Sequence, residues 1–133
     1  MEWTKRMGRK QQGGRTMRLI TEVTTRAFFT DRPMKVDNTE VRQVPSGHLM
    51  ITELLLHGNR IAWKPTGCTN NIMISAGGWT SNTTKERLSG ILWRSNTSVR
   101  LVQRNWLWYL VNNDTFRQWD GTPIHLNDFS ACM

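Results

Sequence analysis

The sequence predicts an α+β fold in which a small antiparallel sheet accompanies one clearly marked helix. Two observations indicate this class. Several β-rich stretches follow one another through short turns, which is typical of antiparallel sheets. One segment, residues 83–94, instead combines a helix start signal with apolar residues at helical spacing. The 133 residues suit a single domain, which we place at residues 17–133, after a tail of residues 1–16.

The first eighteen residues are strongly basic. Six Lys or Arg residues and one Glu supply five of the eight net positive charges of the chain. The cations are Lys5, Arg6, Arg9, Lys10, Arg15 and Arg18. Because residues 1–16 contain too little apolar surface to offset the entropy of ordering, they are predicted to be a disordered tail. Cations laid on phosphates release condensed counterions, so nucleic acid is the expected partner of these side chains.

The segment from Met17 to Phe29 follows the tail. Its apolar residues recur at helical spacing, which predicts an N-terminal helix with Thr16 as a candidate N-cap. The threonines within it are β-branched and lower helix propensity. A strand is therefore the competing interpretation.

The middle of the chain is predicted to form strands joined by tight turns. Thr39–Val44 and His48–His57 are β-rich and flank the turn residues Pro45-Ser46-Gly47. Gly58-Asn59 tolerates positive φ, which predicts a two-residue hairpin loop into Arg60–Trp63. In that register two apolar cross-strand pairs share one face of the sheet, namely Leu54 with Trp63 and Leu56 with Ile61.

The predicted helix at residues 83–94 carries the best local signature. Thr83 at the N-cap and Glu86 three residues later form a capping box. Gly90 lies inside the helix, where glycine costs about 1 kcal/mol relative to alanine, so we expect close packing at that position. Beyond the helix, Val99–Arg104 and Leu107–Val111 are predicted strands joined by a turn at Asn105-Trp106. Residues 123–126 are predicted to add an edge strand.

Signatures of enzymes and metal sites were sought in the sequence. His48, His57, His125, Cys68 and Cys132 lack the spacing of zinc ligands. No Gly-x-Ser-x-Gly element occurs, and the carboxylates are scattered along the chain. We therefore expect no catalytic residue, no metal and no cofactor. No apolar run is long enough for a membrane span.

Two regions outside the tail are candidate binding sites. The start of the predicted helix offers backbone N–H groups, and with Trp79, Thr83 and Thr84 it is a candidate anion or nucleotide site. The structural alternative is a capping threonine and a core tryptophan. The second region combines cations with indole rings, as in proteins that grip nucleic acid. Its predicted contacts are Lys85, Arg87, Arg100, Arg104, Trp106 and Trp108, and an ordinary solvated hairpin is the alternative.

Residues 38–121 resemble a group of small proteins encoded by tailed bacteriophages. The resemblance rests on Leu55-Leu56-His57-Gly58-Asn59-Arg60-Ile61-Ala62 and on Gly77-Gly78-Trp79-Thr80-Ser81-Asn82-Thr83-Thr84-Lys85-Glu86-Arg87-Leu88. It continues through Trp108-Tyr109-Leu110 and Trp119-Asp120-Gly121. It implies the cytoplasm of an infected bacterial host as the setting and supplies no activity or catalytic residue.

The combined hypothesis is a small phage accessory protein that binds nucleic acid, or a host complex containing nucleic acid, without catalysis. One alternative is a protein that inhibits a host enzyme or defence system by binding to it, with tryptophan rings as hot spots. Another is a pocket that sequesters a nucleotide signal at residues 77–87. No membrane partner is expected.

Overall fold

The computed structural model describes residues 8–95, 98–113 and 115–126. Their elements confirm the α+β class. Two helices, α1 (Gly8–Phe29) and α2 (Asn82–Arg94), accompany strands in two antiparallel sheets. The strands are β1 (Met34–Val36), β2 (Thr39–Ser46), β3 (Leu49–Leu56), β4 (Asn59–Pro65), β5 (Met73–Ile74), β6 (Val99–Arg104), β7 (Leu107–Asn112), β8 (Thr115–Gln118) and β9 (Ile124–His125).

The sheets differ in size. The six-stranded sheet has the order β1-β2-β3-β4-β5-β9, and the three-stranded sheet has the order β6-β7-β8. Helix α1 packs on β1, β2 and β3, whereas α2 packs on α1, β4 and β6 and so connects the two sheets. The predicted edge strand near residue 124 is confirmed as β9, which pairs with β5. No helix among the described residues has the length and apolarity needed to cross a membrane.

Helix α1 is longer than the sequence predicts. It begins at Gly8, so the helical backbone includes residues 8–16, which were predicted to be disordered; residues 1–7 lie outside the described residues. Helix propagation adds one hydrogen bond for each residue ordered, and Arg, Lys and Gln are good helix formers. The strand alternative fails as well. Thr24 donates its hydroxyl hydrogen to the Ile20 carbonyl at 2.7 Å, which satisfies that polar group within the helix.

The end of α1 positions a carboxylate. Asp31 has φ 57°, and the Arg32 N–H donates to the Ala27 carbonyl at 2.9 Å, as in a Schellman motif. The Asp31 carboxylate then accepts hydrogen bonds from buried Lys64 at 2.7 Å and from the Thr52 hydroxyl at 2.7 Å. This network ties the helix end to β3 and β4.

The hairpin between β3 and β4 differs from its predicted register. The loop residues are His57 and Gly58, with φ 53° and 80°, and Leu56 pairs with Asn59. Both residues adopt the left-handed conformation that a type I′ turn requires. A bulge between Leu54 and Leu55 then places Leu54 opposite Ala62 and Glu53 opposite Trp63. The predicted pairs of Leu54 with Trp63 and Leu56 with Ile61 are therefore wrong.

The N-cap of helix α2 lies two residues before the predicted one. Ser81 is the N-cap, and its hydroxyl accepts a hydrogen bond from the Thr84 N–H at 3.1 Å. The predicted capping box of Thr83 and Glu86 is therefore wrong, because either Ser or Thr can cap a helix and only the backbone geometry decides between neighbours.

Close packing at Gly90 is confirmed. A Cβ atom added there would lie 2.4 Å from Thr21 Cγ2 and 2.8 Å from Thr25 Oγ1. Both contacts belong to α1, so the absence of a side chain at Gly90 allows the two helices to approach. The hydrophobic core lies beneath this helix pair and includes Phe28 and Leu88.

Candidate functional site

Arg87 lies inside the protein. The residue is 2% exposed, and its guanidinium donates to the hydroxyls of Thr39 at 2.9 Å and Thr21 at 2.8 Å. Burial lowers the pKa of Arg87, although nearby Glu86 and Asp37 oppose the shift. Its hydrogen bonds join α2 to α1 and β2. The prediction that Arg87 contacts nucleic acid is therefore corrected to a structural role.

Trp108 is also buried. It is 4% exposed and its ring centroid lies 6.1 Å from that of Trp119, inside the core cluster. Trp106 differs because it lies in the β6–β7 turn, where its side chain is 89% exposed, and not in a strand that packs on the core. The predicted turn at Asn105-Trp106 is confirmed, with φ values of 51° and 69°. Trp106 thus remains available on the surface, whereas Trp108 does not.

Arg100 and Arg104 share the outward face of the three-stranded sheet, as predicted from alternation. Leu101, between them, belongs to the core, and both arginines are exposed. The Arg104 guanidinium carbon lies 5.3 Å from the centroid of the Phe116 ring, and Phe116 lies 4.5 Å from Tyr109. Cations thus lie beside exposed aromatic rings on this face, which is the arrangement that attracts phosphates and unpaired bases together.

A second cationic region adjoins this face. A groove of about 760 Å³ runs between α1 and α2, and a groove of about 480 Å³ runs between α2 and β6. Both are lined by Ser89 and Trp93, so they meet at the Trp93 side chain, which is 89% exposed. We call the two grooves together the arginine furrow. Its arginines are Arg18, Arg26, Arg94 and Arg100, and its carboxylates are Glu22 and Glu86.

Sequence reasoning missed Trp93, Arg94 and Arg26. A signal for Arg94 was present, because residues 88–118 contain four arginines and a single acidic residue, Asp114. Helix spacing did not reveal that Trp93 faces outward at the meeting point of two grooves, because that depends on where α1 and β6 pack. Trp93 is therefore a residue that only the tertiary structure identifies.

The tail cations are only partly described. Lys5 and Arg6 lie outside the described residues. Arg9, Lys10 and Arg15 belong to the helical backbone of α1, and their side chains are likewise outside the description. Arg9, Lys10 and Arg15 nevertheless precede Arg18 on the same helix.

The predicted anion or nucleotide site becomes a cleft of about 510 Å³. Trp79 is 68% exposed and lines the cleft together with Thr83 and Thr84. Thr84 is buried, and its hydroxyl lies 2.9 Å from that of Ser81. Lys85 is half-buried and does not line the cleft. The structure thus brings Trp79 and Thr83 together but leaves Lys85 outside.

The acidic side chains of the described residues do not form a metal site. Across residues 8–95, 98–113 and 115–126, no three His, Cys, Asp or Glu side chains converge. Asp120 accepts hydrogen bonds from the hydroxyl and N–H of Thr122, which lower the pKa of Asp120. This is an ordinary turn contact that holds the loop before β9.

Comparison with known proteins gives one result. A family model described as the Kyanoviridae Gp96 protein matches residues 17–129, which is most of the chain and leaves out residues 1–16. No curated protein and no solved structure matches the chain. The predicted resemblance to phage proteins is confirmed. The chain belongs to the Kyanoviridae Gp96 protein family, a family of cyanophage proteins.

Proposed function

We propose that this phage protein binds single-stranded nucleic acid in the cytoplasm of the infected bacterium, without catalysing a reaction on it. The binding surface consists of the arginine furrow and the outward face of the three-stranded sheet, with Arg100 common to both. The observation that carries the proposal is Trp93, a highly exposed indole at the junction of two arginine-lined grooves.

The chemistry of the surface favours phosphates and bases together. Each arginine placed on a phosphate releases counterions, and each exposed ring offers a face for stacking. Trp93 and Trp106 are each 89% exposed, so both indole rings are accessible to a base that stacks on them. In a duplex the base faces are already stacked on one another, so rings on an open surface favour single strands.

Binding to labelled oligonucleotides tests this proposal. Fluorescence anisotropy of mixed-sequence single strands is measured over a salt series, with a duplex of the same sequence for comparison. We expect the single strand to bind more tightly than the duplex. The logarithm of its binding constant should fall with the logarithm of salt concentration by about 0.7 for each phosphate contacted. A response independent of salt, or preference for the duplex, would contradict the proposal.

Substitution of Trp93 locates the interface. Replacing the indole with alanine should weaken single-strand binding by about 5- to 150-fold, because base stacking on an aromatic ring contributes about 1–3 kcal/mol. Trp93→Phe is the matched control, since it keeps a ring and should retain most of the affinity. Equal affinity of the alanine variant and the unchanged protein would exclude the furrow as the binding site.

A host protein is the second candidate partner. Exposed tryptophans are frequent hot spots of protein interfaces, and Trp79, Trp93 and Trp106 are each exposed in this protein. Affinity capture from a host lysate treated with nuclease discriminates the two candidates. A protein retained after nuclease treatment, and lost with Trp93→Ala, would favour inhibition of a host enzyme or defence component over nucleic-acid binding.

A further inference from the structure

The cleft beside Trp79 is separate from the furrow. It lies at the first turn of α2, whereas Trp93 is in the last turn, and eleven helical residues at about 1.5 Å each span roughly 17 Å. Its volume of about 510 Å³ falls within the range of about 300–1,000 Å³ typical of small-molecule sites. It therefore has room for a ligand of its own.

The walls of the cleft combine apolar surface with a polar rim. Leu56, Ile61 and Ala76 are buried side chains that line it, and the Trp79 indole forms one wall. Neutral hydrogen-bonding groups surround this apolar part. They are the side chains of His57, Asn59, Ser81 and Thr83.

Several contacts hold these walls in place. The backbone N–H of His57 donates to the Asn38 carbonyl at 2.8 Å, and the backbone N–H of Trp79 donates to the Ala76 carbonyl at 3.0 Å. Gly77 passes so close to β4 that an added Cβ would lie 3.1 Å from Asn59 Cβ. The cleft is thus formed before any ligand arrives, which reduces the ordering cost of binding.

The charge of the cleft argues against a phosphate. No Lys, Arg, Asp or Glu is among the described residues that line it. At the helix start the N–H groups of Thr84 and Lys85 already donate to the side chain and carbonyl of Ser81. An anion therefore meets neither a cationic side chain nor these two donors.

We infer that the cleft beside Trp79 binds a nucleobase. It contacts the flat face and the polar edge of the base, and it does not bind the phosphate of a nucleotide. The base stacks on the Trp79 indole above the apolar floor, while the Asn59 amide and the His57 imidazole on the rim pair with its heteroatoms. This inference goes beyond the proposed furrow function, because it assigns a second site of different chemistry.

Isothermal titration calorimetry on the full chain tests the inference. The probes are adenosine, guanosine, cytidine, uridine and thymidine, each beside its 5′-monophosphate. We expect at least one nucleoside to bind, with its monophosphate within about threefold in affinity, which is a difference below 1 kcal/mol. Absence of binding by every nucleoside, or a monophosphate more than about tenfold tighter, would overturn the inference.

Variants assign the binding to the cleft. Trp79→Ala should weaken nucleoside binding by about 5- to 150-fold through lost stacking, and Trp79→Phe should restore most of it. Trp93→Ala should leave nucleoside binding unchanged, although it weakens oligonucleotide binding. Because Trp79 is largely exposed, its variants are expected to fold, and their thermal unfolding confirms this. Nucleoside affinity that is insensitive to Trp79→Ala counts against the cleft.

Competition identifies the source of the base. Nucleoside titrations are repeated with the furrow saturated by a single-stranded oligonucleotide. Displacement of the nucleoside supports a base of the bound strand as the natural ligand, and unchanged nucleoside binding supports a free nucleoside. Either result supports nucleobase recognition at Trp79. A protein that binds nucleosides but no oligonucleotide would contradict the proposed furrow function and still support nucleobase recognition at Trp79.

Discussion

The two sheets differ in what their cations contact. In the six-stranded half, Lys64 pairs with Asp31 at 2.7 Å, while Arg42 and Arg60 both pair with Glu53 at 2.9 and 3.1 Å. In the three-stranded half, Arg104 lies over the Phe116 ring, and Arg100 shares the same exposed face.

This difference separates charges that hold the fold from charges that we propose contact phosphates. A cation paired with a carboxylate has its charge compensated, and replacing one member of a buried pair exposes the other to an apolar surrounding. A cation over a ring keeps its net charge, which leaves it able to meet a phosphate. Substitutions in the six-stranded half should therefore change stability, whereas substitutions in the three-stranded half should change binding.

The largest expected effect is loss of the Asp31 carboxylate. In Asp31→Asn the ammonium group of Lys64, whose side chain is fully buried, loses its charged partner. Breaking a buried pair in this way costs about 3–5 kcal/mol. Urea unfolding measures the change. Arg104→Gln serves as the control from the other sheet and should alter the free energy of unfolding by less than about 0.5 kcal/mol.

Acidification of the unchanged protein should reproduce part of the stability loss expected for Asp31→Asn. Burial raises the pKa of Asp31, but hydrogen bonds from Lys64, Thr52 and the Gly67 N–H outweigh it, so the pKa lies below its ordinary value. Because this pKa is lower in the folded than in the unfolded state, the Asp31 carboxylate stabilises the fold at pH values above the unfolded-state pKa of about 3.9. That stabilisation is lost as the pH falls through the folded-state pKa. Unfolding free energies measured between neutral pH and pH about 2 should decrease more in the unchanged protein than in Asp31→Asn.

A smaller loss of stability is expected where α1 crosses α2. Gly90→Ala places a methyl group 2.4 Å from Thr21 Cγ2, and overpacking of this kind costs about 1–3 kcal/mol. The gain in helix propensity from Gly to Ala, about 1 kcal/mol, offsets part of it. Thermal unfolding measures the net decrease in the stability of the fold. A stabilised Gly90→Ala protein would show that the helices do not pack this closely.

The smallest expected change is confined to binding. Replacing Arg100 and Arg104 with glutamine removes two proposed phosphate contacts and should lower the salt slope of single-strand binding by about 1.4. The matched control replaces Arg32 and Lys35, which are exposed cations of the six-stranded half, with glutamine. Both double variants lose two charges, so an equal decrease in slope would reveal a general charge effect and remove the distinction between the sheets.

Some of this organisation was predictable. Alternation placed Arg100 and Arg104 on one face, and the Asn105-Trp106 turn followed from the tight spacing of two β-rich stretches. Strands β1 and β8 were missed, because three- and four-residue strands leave little periodicity to detect. The His57-Gly58 turn was misplaced by one residue, because His-Gly and Gly-Asn both contain a residue that tolerates positive φ.

The proposed binding surface was less predictable from the sequence than the fold. Arg87 and Arg94 are seven residues apart on the same helix, which is about two turns, yet Arg87 is buried and Arg94 is exposed. Their difference arises because Thr39 of β2 and Thr21 of α1 surround Arg87 with hydroxyl acceptors. Sequence spacing cannot reveal acceptors that come from distant parts of the chain.

The sequence by itself determined the α+β class, the helix around residues 83–94 and most of the hairpins, because these depend on local propensity and periodicity. Only the tertiary structure decided which cations are paired, which tryptophans are exposed and where the grooves lie. Those properties depend on contacts between residues far apart in the chain, and the energy of burying a charge or a ring is set by its neighbours in space.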